Sequence, residues 1–190
     1  LTVTAPMVDG VSAGGLTKTG AGTLALTGSS SYTGATTITV GTLVAADNKS
    51  LGDSSSLSVN GGTLDVRGAG TAGTVTLGSA AAFSLSSGII QFELGTAFDQ
   101  LVSSGAGAFT ITGGTFALDV TGAGFSYANT YQVLSGFGGS NSVTNLGFTG
   151  YDSANFTADL GTNGVLSFTA VPEPATWALL AFSLTTVMVL

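Results

Sequence analysis

An all-β fold is predicted, built as a solenoid of stacked rungs with a C-terminal capping sheet and one short hydrophobic helix after it. Three observations lead there. A Gly-Thr-apolar tripeptide recurs at intervals of about twenty residues, apolar and polar residues alternate with period two around it, and the chain ends in an uncharged apolar run.

The tripeptide stands at Gly22-Thr23-Leu24, Gly41-Thr42-Leu43, Gly62-Thr63-Leu64, Gly73-Thr74-Val75 and Gly114-Thr115-Phe116. The first three are 19 and 21 residues apart, and Gly88-Ile89-Ile90 lies 26 residues from both Gly62 and Gly114. A period of that length suits one rung of two or three short strands, which buries its apolar side only by stacking on its neighbours. Within a rung, Leu64 and Val66 alternate with Asp65 and Arg67, which places the apolar pair inward and the charged pair outward. The stretches 37–40, 56–59 and 74–77 repeat the alternation with Thr, Val, Leu and Ile, residue types that fit a pleated strand. The pairs Gly14-Gly15, Gly61-Gly62 and Gly113-Gly114 are expected to supply positive φ at sharp corners.

Composition narrows the function classes. Of 190 residues only 7 % are charged and 30 are glycine, and the net charge is −7 with Lys18, Lys49 and Arg67 the only cations. Phosphate backbones and anionic lipid both need clustered cations, so nucleic acid and electrostatic membrane docking are disfavoured. The absence of Cys and His excludes disulfides, zinc sites and any Ser-His-Asp or Cys-His nucleophile. The opening LTVTAP has neither Met nor a basic region before an apolar one, which reads as a fragment or a processed product.

Three regions are expected. Residues 1–97 carry the repeat as solenoid rungs. Residues 98–170 hold most of the aromatics, lose the Gly-Thr beat, and read as final rungs plus a capping β-region ending in GVLSFTA. Residues 171–190 begin with Val171, Pro172, Glu173 and Pro174. The two prolines fix φ, remove N–H donors and hold Glu173 on a stiff extended spacer. Ala175, Trp177, Leu179, Leu180, Phe182, Leu184, Val187 and Leu190 then mark a 16-residue uncharged segment. As a helix it would reach roughly 24 Å, against the roughly 30 Å of a bilayer core. A membrane-held sorting helix is expected here; a helix packed on the sheet is the bland alternative.

The segment 14–45 resembles the autotransporter-associated β-strand repeat. The resemblance rests on residues 15–28 (GLTKTGAGTLALTG), on Tyr32-Thr33-Gly34-Ala35-Thr36, and on Gly41-Thr42-Leu43. It implies a right-handed parallel β-helix in an exported bacterial protein. The final segment resembles the PEP-CTERM sorting signal of Gram-negative bacteria, carried by Val171-Pro172-Glu173-Pro174 and then Ala175, Thr176 and Trp177. That family ends in a basic cluster, whereas this sequence stops at Leu190 without Arg or Lys. The resemblance implies processing by a membrane exosortase and a place in the exopolysaccharide matrix.

Candidate chemistry is limited to ten carboxylates. The near pairs are Asp47 with Asp53, Glu93 with Asp99, and Asp152 with Asp159, and glycoside hydrolysis would need two carboxyl groups at defined separation. Asp47 and Asp53 read better as turn residues in a polar corner, and Asp99 as a strand start. Calcium would take carboxylate oxygens, yet neither an EF-hand loop nor a Gly-Gly-x-Gly-x-Asp repeat is present, and no metal site or cofactor is expected. Tyr32, Tyr127, Tyr131 and Tyr151 are candidates for a sugar-stacking surface or, more simply, for the core. The functional expectation is a non-enzymatic structural or adhesive component of the cell surface or matrix of a Gram-negative-type bacterium. It would be held transiently in the membrane, processed by an exosortase-type enzyme, and in contact with extracellular polysaccharide. An autotransporter passenger and a polysaccharide-acting β-helix enzyme are the alternatives.

Overall fold

The computed structural model describes residues 1–68 and 70–172. The described chain forms strands and no helix. In order these are β1 (Thr2–Val3), β2 (Leu16–Lys18), β3 (Thr23–Leu26), β4 (Thr36–Ile38), β5 (Thr42–Ala45), β6 (Ser56–Val66), β7 (Thr74–Leu77), β8 (Ala82–Glu93) and β9 (Gln100–Ser103). They continue as β10 (Phe109–Ile111), β11 (Thr115–Asp119), β12 (Tyr131–Gln132), β13 (Leu134–Ser135), β14 (Ser142–Val143), β15 (Gly147–Thr149), β16 (Phe156–Leu160) and β17 (Val165–Ala170). The closing hydrophobic helix expected from the sequence falls on residues 173–190 and lies outside the described residues.

Every pairing up to β15 is parallel, and each strand lies beside the one that follows it by a nearly fixed number of residues. Leu16 pairs with Thr36 and Thr36 with Leu57, steps of 20 and 21. Leu57 pairs with Phe83 and Phe83 with Phe109, steps of 26. Thr110 pairs with Ser142, a step of 32. The steps lengthen when a third strand enters between successive members of the large sheet. β7, β9 and β13 form their own parallel sheet, in which Val75 pairs with Leu101 and Leu101 with Leu134. Before β7, loops occupy that side and still stack: Ser30 N–H bonds Lys49 O at 2.9 Å and Asp53 N–H bonds Tyr32 O at 2.9 Å.

Because partners are in register, inward side chains fall into columns. One column runs Leu24, Leu43, Leu64, Ile90, Phe116, Phe148. Another runs Lys18, Ile38, Val59, Leu85, Ile111, Val143. Leu43, Leu64, Ile90 and Phe116 are fully buried, as are Ile38, Val59, Leu85 and Ile111. The inward reading of Leu64 and Val66 agrees with their burial. Arg67 departs from its expected outward strand position. The strand ends at Val66, and Arg67 turns into the left-handed region (φ 71°) with its Nε buried and without a hydrogen-bond partner among the described residues.

Corners stack as well. β6 and β8 each bend through a glycine in the left-handed region, Gly61 (φ 111°) and Gly88 (φ 94°). At Gly88 a Cβ would collide with the carbonyl oxygen of Gly62, so the missing side chain is what lets adjacent corners approach. Gly114 has the expected positive φ, but Gly14 and Gly15 do not. Gly15 is needed for a different reason, since a Cβ there would stand 2.7 Å from Ala35 O.

The far end changes character. β12, β17 and β16 make an antiparallel sheet, with Tyr131 beside Leu166 and Ala158 beside Phe168. Phe125, Tyr127, Tyr131, Phe156 and Phe168 interlock there. Tyr127 stacks on Phe156 at 4.0 Å, and Phe125 meets Phe168 edge-on at 5.8 Å.

Candidate functional site

The sequence offered a tail motif, carboxylate pairs and four tyrosines; the structure adds an outward face that needs the strand register to be seen. Val171 and Pro172 are exposed at the end of β17, and Val171 N–H bonds Asn155 O at 2.8 Å. Glu173, Pro174 and the hydrophobic positions from Ala175 to Leu190 lie outside the described residues.

The tyrosines form no common platform. Tyr32 and Tyr131 are buried, Tyr127 stacks on Phe156, and Tyr151 packs near Phe168. Tyr32 anchors a buried chain of hydroxyls: its phenol is 2.8 Å from Thr36 Oγ1, which is 2.8 Å from Ser54 Oγ, which donates to Leu51 O. Burial holds the Tyr32 phenol above its ordinary pKa. These side chains fill the interior, as the simpler reading of the sequence had them.

The carboxylate pairs have different fates. Asp47 and Asp53 lie in the turn after β5, where Asp47 accepts Lys49 N–H at 2.9 Å and Asp53 pairs with the Lys49 ammonium at 2.6 Å. Asp152 organises a turn through Asn155, and Asp159 is exposed on β16. Glu93 and Asp99 do come together. Asp99 precedes β9, is 2 % exposed, and accepts Glu93 N–H at 2.8 Å and Gly73 N–H at 3.0 Å. Beside them a cavity of about 170 Å³ is lined by Asp65, Gln91, Glu93, Asp99 and Asp119, among others. Burial pushes the Asp99 carboxyl up to about 7; the two N–H groups oppose that shift, and Glu93 and Asp65 add to it. Burial also raises Asp65. Asp99 thereby ties the start of the third sheet (Gly73) to the end of β8, a bracing contact between residues 26 apart. Among the described residues no group of three or more Asp or Glu could hold a metal ion.

Along the outward side of the large sheet, hydroxyls repeat in register. Thr17 pairs with Thr37, Thr37 with Ser58, Ser58 with Ser84, Ser84 with Thr110, and Thr110 with Ser142. Adjacent members are therefore one strand spacing apart, roughly 4.8 Å. Two residues further on, a second polar row spends its hydrogen bonds internally. Thr39 Oγ1 donates to Lys18 O at 3.1 Å, Ser86 Oγ to Asn60 Oδ1 at 3.1 Å, and Thr144 Oγ1 to Ile111 O at 3.2 Å.

Comparison with known proteins points the same way as the stacked repeat. Residues 16–45 match the passenger-associated-transport-repeat model. Over 124 residues the chain is 38 % identical to the adhesin BmaC autotransporter of Brucella suis biovar 1 (strain 1330). That alignment covers 64 % of this chain and 3 % of the adhesin, so the chain spans a small part of its relative's length. No solved structure matches it. The matched segment is β2 to β5, including Lys18. Its ammonium is buried and donates to the carbonyls of Gly20 and Val40 (3.0 Å to Val40), on either side of the Gly41 corner. The similarity to a transported repeat and to a surface adhesin supports an exported, surface-associated protein with an adhesive or structural role.

Proposed function

We propose that the chain is an exported, non-enzymatic right-handed β-solenoid serving as a structural or adhesive component of the cell surface or exopolysaccharide matrix. The observation that carries this reading is the in-register stacking of the Gly-Thr strands, which coincides with the matched transport repeat. Residues 1–97 act as rungs, residues 98–170 as the last rungs and the cap, and residues 171–190 as an address of the PEP-CTERM kind. Val171, Pro172, Glu173 and Pro174 present the motif to an exosortase-type enzyme, and Ala175 to Leu190 hold the protein in the membrane until processing.

The test is export in a Gram-negative host with and without an exosortase. The expected outcome is loss of the residues after Pro-Glu-Pro, read by intact mass of the released protein, and failure of release when 171–190 are deleted. A released protein that keeps its tail, or unaltered release of the deletion, overturns the sorting reading. The similarity to an autotransporter adhesin supports a second reading, a passenger segment of a longer surface protein. Release that depends on a C-terminal β-barrel instead of the tail would favour it.

A further inference from the structure

We infer that the hydroxyl row Thr17, Thr37, Ser58, Ser84, Thr110 and Ser142 is a docking face for a neutral, linear polysaccharide lying across the strands. The inference rests on the proposed matrix role and names the face and the class of glycan. Three features select that occupant.

The first is unspent hydrogen bonding. None of the six hydroxyls makes a side-chain hydrogen bond among the described residues, whereas the neighbouring row is tied internally through Thr39, Ser86 and Thr144. Each free hydroxyl can both donate and accept, which matches a sugar hydroxyl better than a carboxylate or ammonium partner.

The second is charge. Neither row contains a charged residue, because Lys18, the one cation on these strands, turns inward to the carbonyls of Gly20 and Val40. With a net charge of −7 the molecule repels acidic polymers, and the face offers no cation to offset that. An uncharged chain meets no such penalty.

The third is repetition. The row advances by one strand spacing, roughly 4.8 Å, per hydroxyl, close to the advance of one sugar residue in an extended β-linked chain. One polymer can therefore meet successive rungs in similar positions, so weak contacts add along a single ligand. The outward row of the adjoining face is less regular: Thr23, Thr42 and Thr63 are followed by Ile89, Thr115 and Gly147.

The test uses the purified full chain and its sedimentation with phosphoric-acid-swollen cellulose, a neutral β-linked glucan, with soluble alginate as the anionic counterpart in an affinity gel. Wild type should bind the cellulose and ignore the alginate. The quadruple variant Thr37→Val, Ser58→Ala, Ser84→Ala, Thr110→Val should lose at least about ten-fold in affinity, since each exchanged hydroxyl contributes a modest hydrogen bond. The control Thr42→Val, Thr63→Val, Thr115→Val on the adjoining face should bind as wild type does. Circular dichroism separates lost binding from lost folding, and Thr37→Ser with Thr110→Ser should retain binding. Absence of wild-type binding to cellulose, equal binding to alginate, or equal loss in the control overturns the inference. Each of these outcomes leaves the export experiment untouched, so the two readings fail separately.

Discussion

The first steps of the stack and the last are held by different means. Around β2 to β5 the contents are light: Leu24, Leu43, Ile38 and Ala45 inside, glycine at the corner, and a lysine ammonium satisfied by backbone carbonyls. From β8 onward the same columns carry Phe83, Phe92, Phe109 and Phe116, and aromatics meet edge-to-face. Phe92 and Phe116 are 5.1 Å apart, and Phe109 and Phe137 are 5.5 Å apart. Steps of 20 and 21 residues enclose a narrow interior that small aliphatics fill. Steps of 26 and 32 enclose a wider one, and benzyl groups fill it without voids. The width of the step and the size of the side chains change together.

The sharpest way to break that comparison is to empty the wide end. Phe116→Ala removes a fully buried ring between Phe92 and Phe148 and should cost about 3–5 kcal/mol in urea denaturation. Leu24→Ala, half-buried in the same column, should cost less than about 2 kcal/mol. Equal losses would mean that both ends are packed alike.

Next comes pH. Asp99 has a folded pKa raised to about 7 from 3.8, so its protonated form is the one the fold favours. Its contribution is fully present below about pH 3.8 and is lost as pH rises through about 7. The loss has a ceiling of about 4 kcal/mol from the size of the shift. Asp99→Asn should flatten that dependence in thermal melts between pH 4 and 8. A slope unchanged by the substitution would place the titration elsewhere.

At the corner, Gly88→Ala should cost about 1–3 kcal/mol, because Gly88 combines positive φ with a carbonyl where Cβ would stand. Gly20→Ala, with open space around its Cβ position, should change thermal stability far less. The smallest effect is expected at Lys18. Lys18→Ile places the residue type of the next rung, Ile38, at that position. It loses two ammonium–carbonyl contacts but also removes a buried charge, so the net change should stay within about 1 kcal/mol. A larger loss would show that the ammonium is what holds the thin end.

Much of this was legible from local pattern. Period-two alternation places Leu57, Val59, Leu64 and Val66 inward, and the Gly-Thr spacing anticipates the steps of 19, 21 and 26 between their strands. What local pattern missed depends on partners distant in sequence. Lys18 reads as an outward charge, yet it heads an apolar column because corner carbonyls receive its ammonium. Asp99 reads as an ordinary strand start, while its burial and its raised pKa come from packing beside Gly73 and Asp65. Arg67 was expected to continue the alternation, but the strand stops one residue earlier. The hydroxyl row was visible only as a Thr- and Ser-rich composition until register aligned it.

Register also bears on how such a chain can change length. Thr36 lies between Leu16 on one side and Leu57 on the other, in the same phase and with the same inward columns. Excising residues 36–56 would bring Leu57 next to Leu16 with every later residue still on its own side. Losing or gaining a number of residues unrelated to the step would put wrong side chains inside. Heritable variation in length is therefore confined to whole steps, which makes copy number, more than point substitution, the easy route by which this architecture lengthens or shortens.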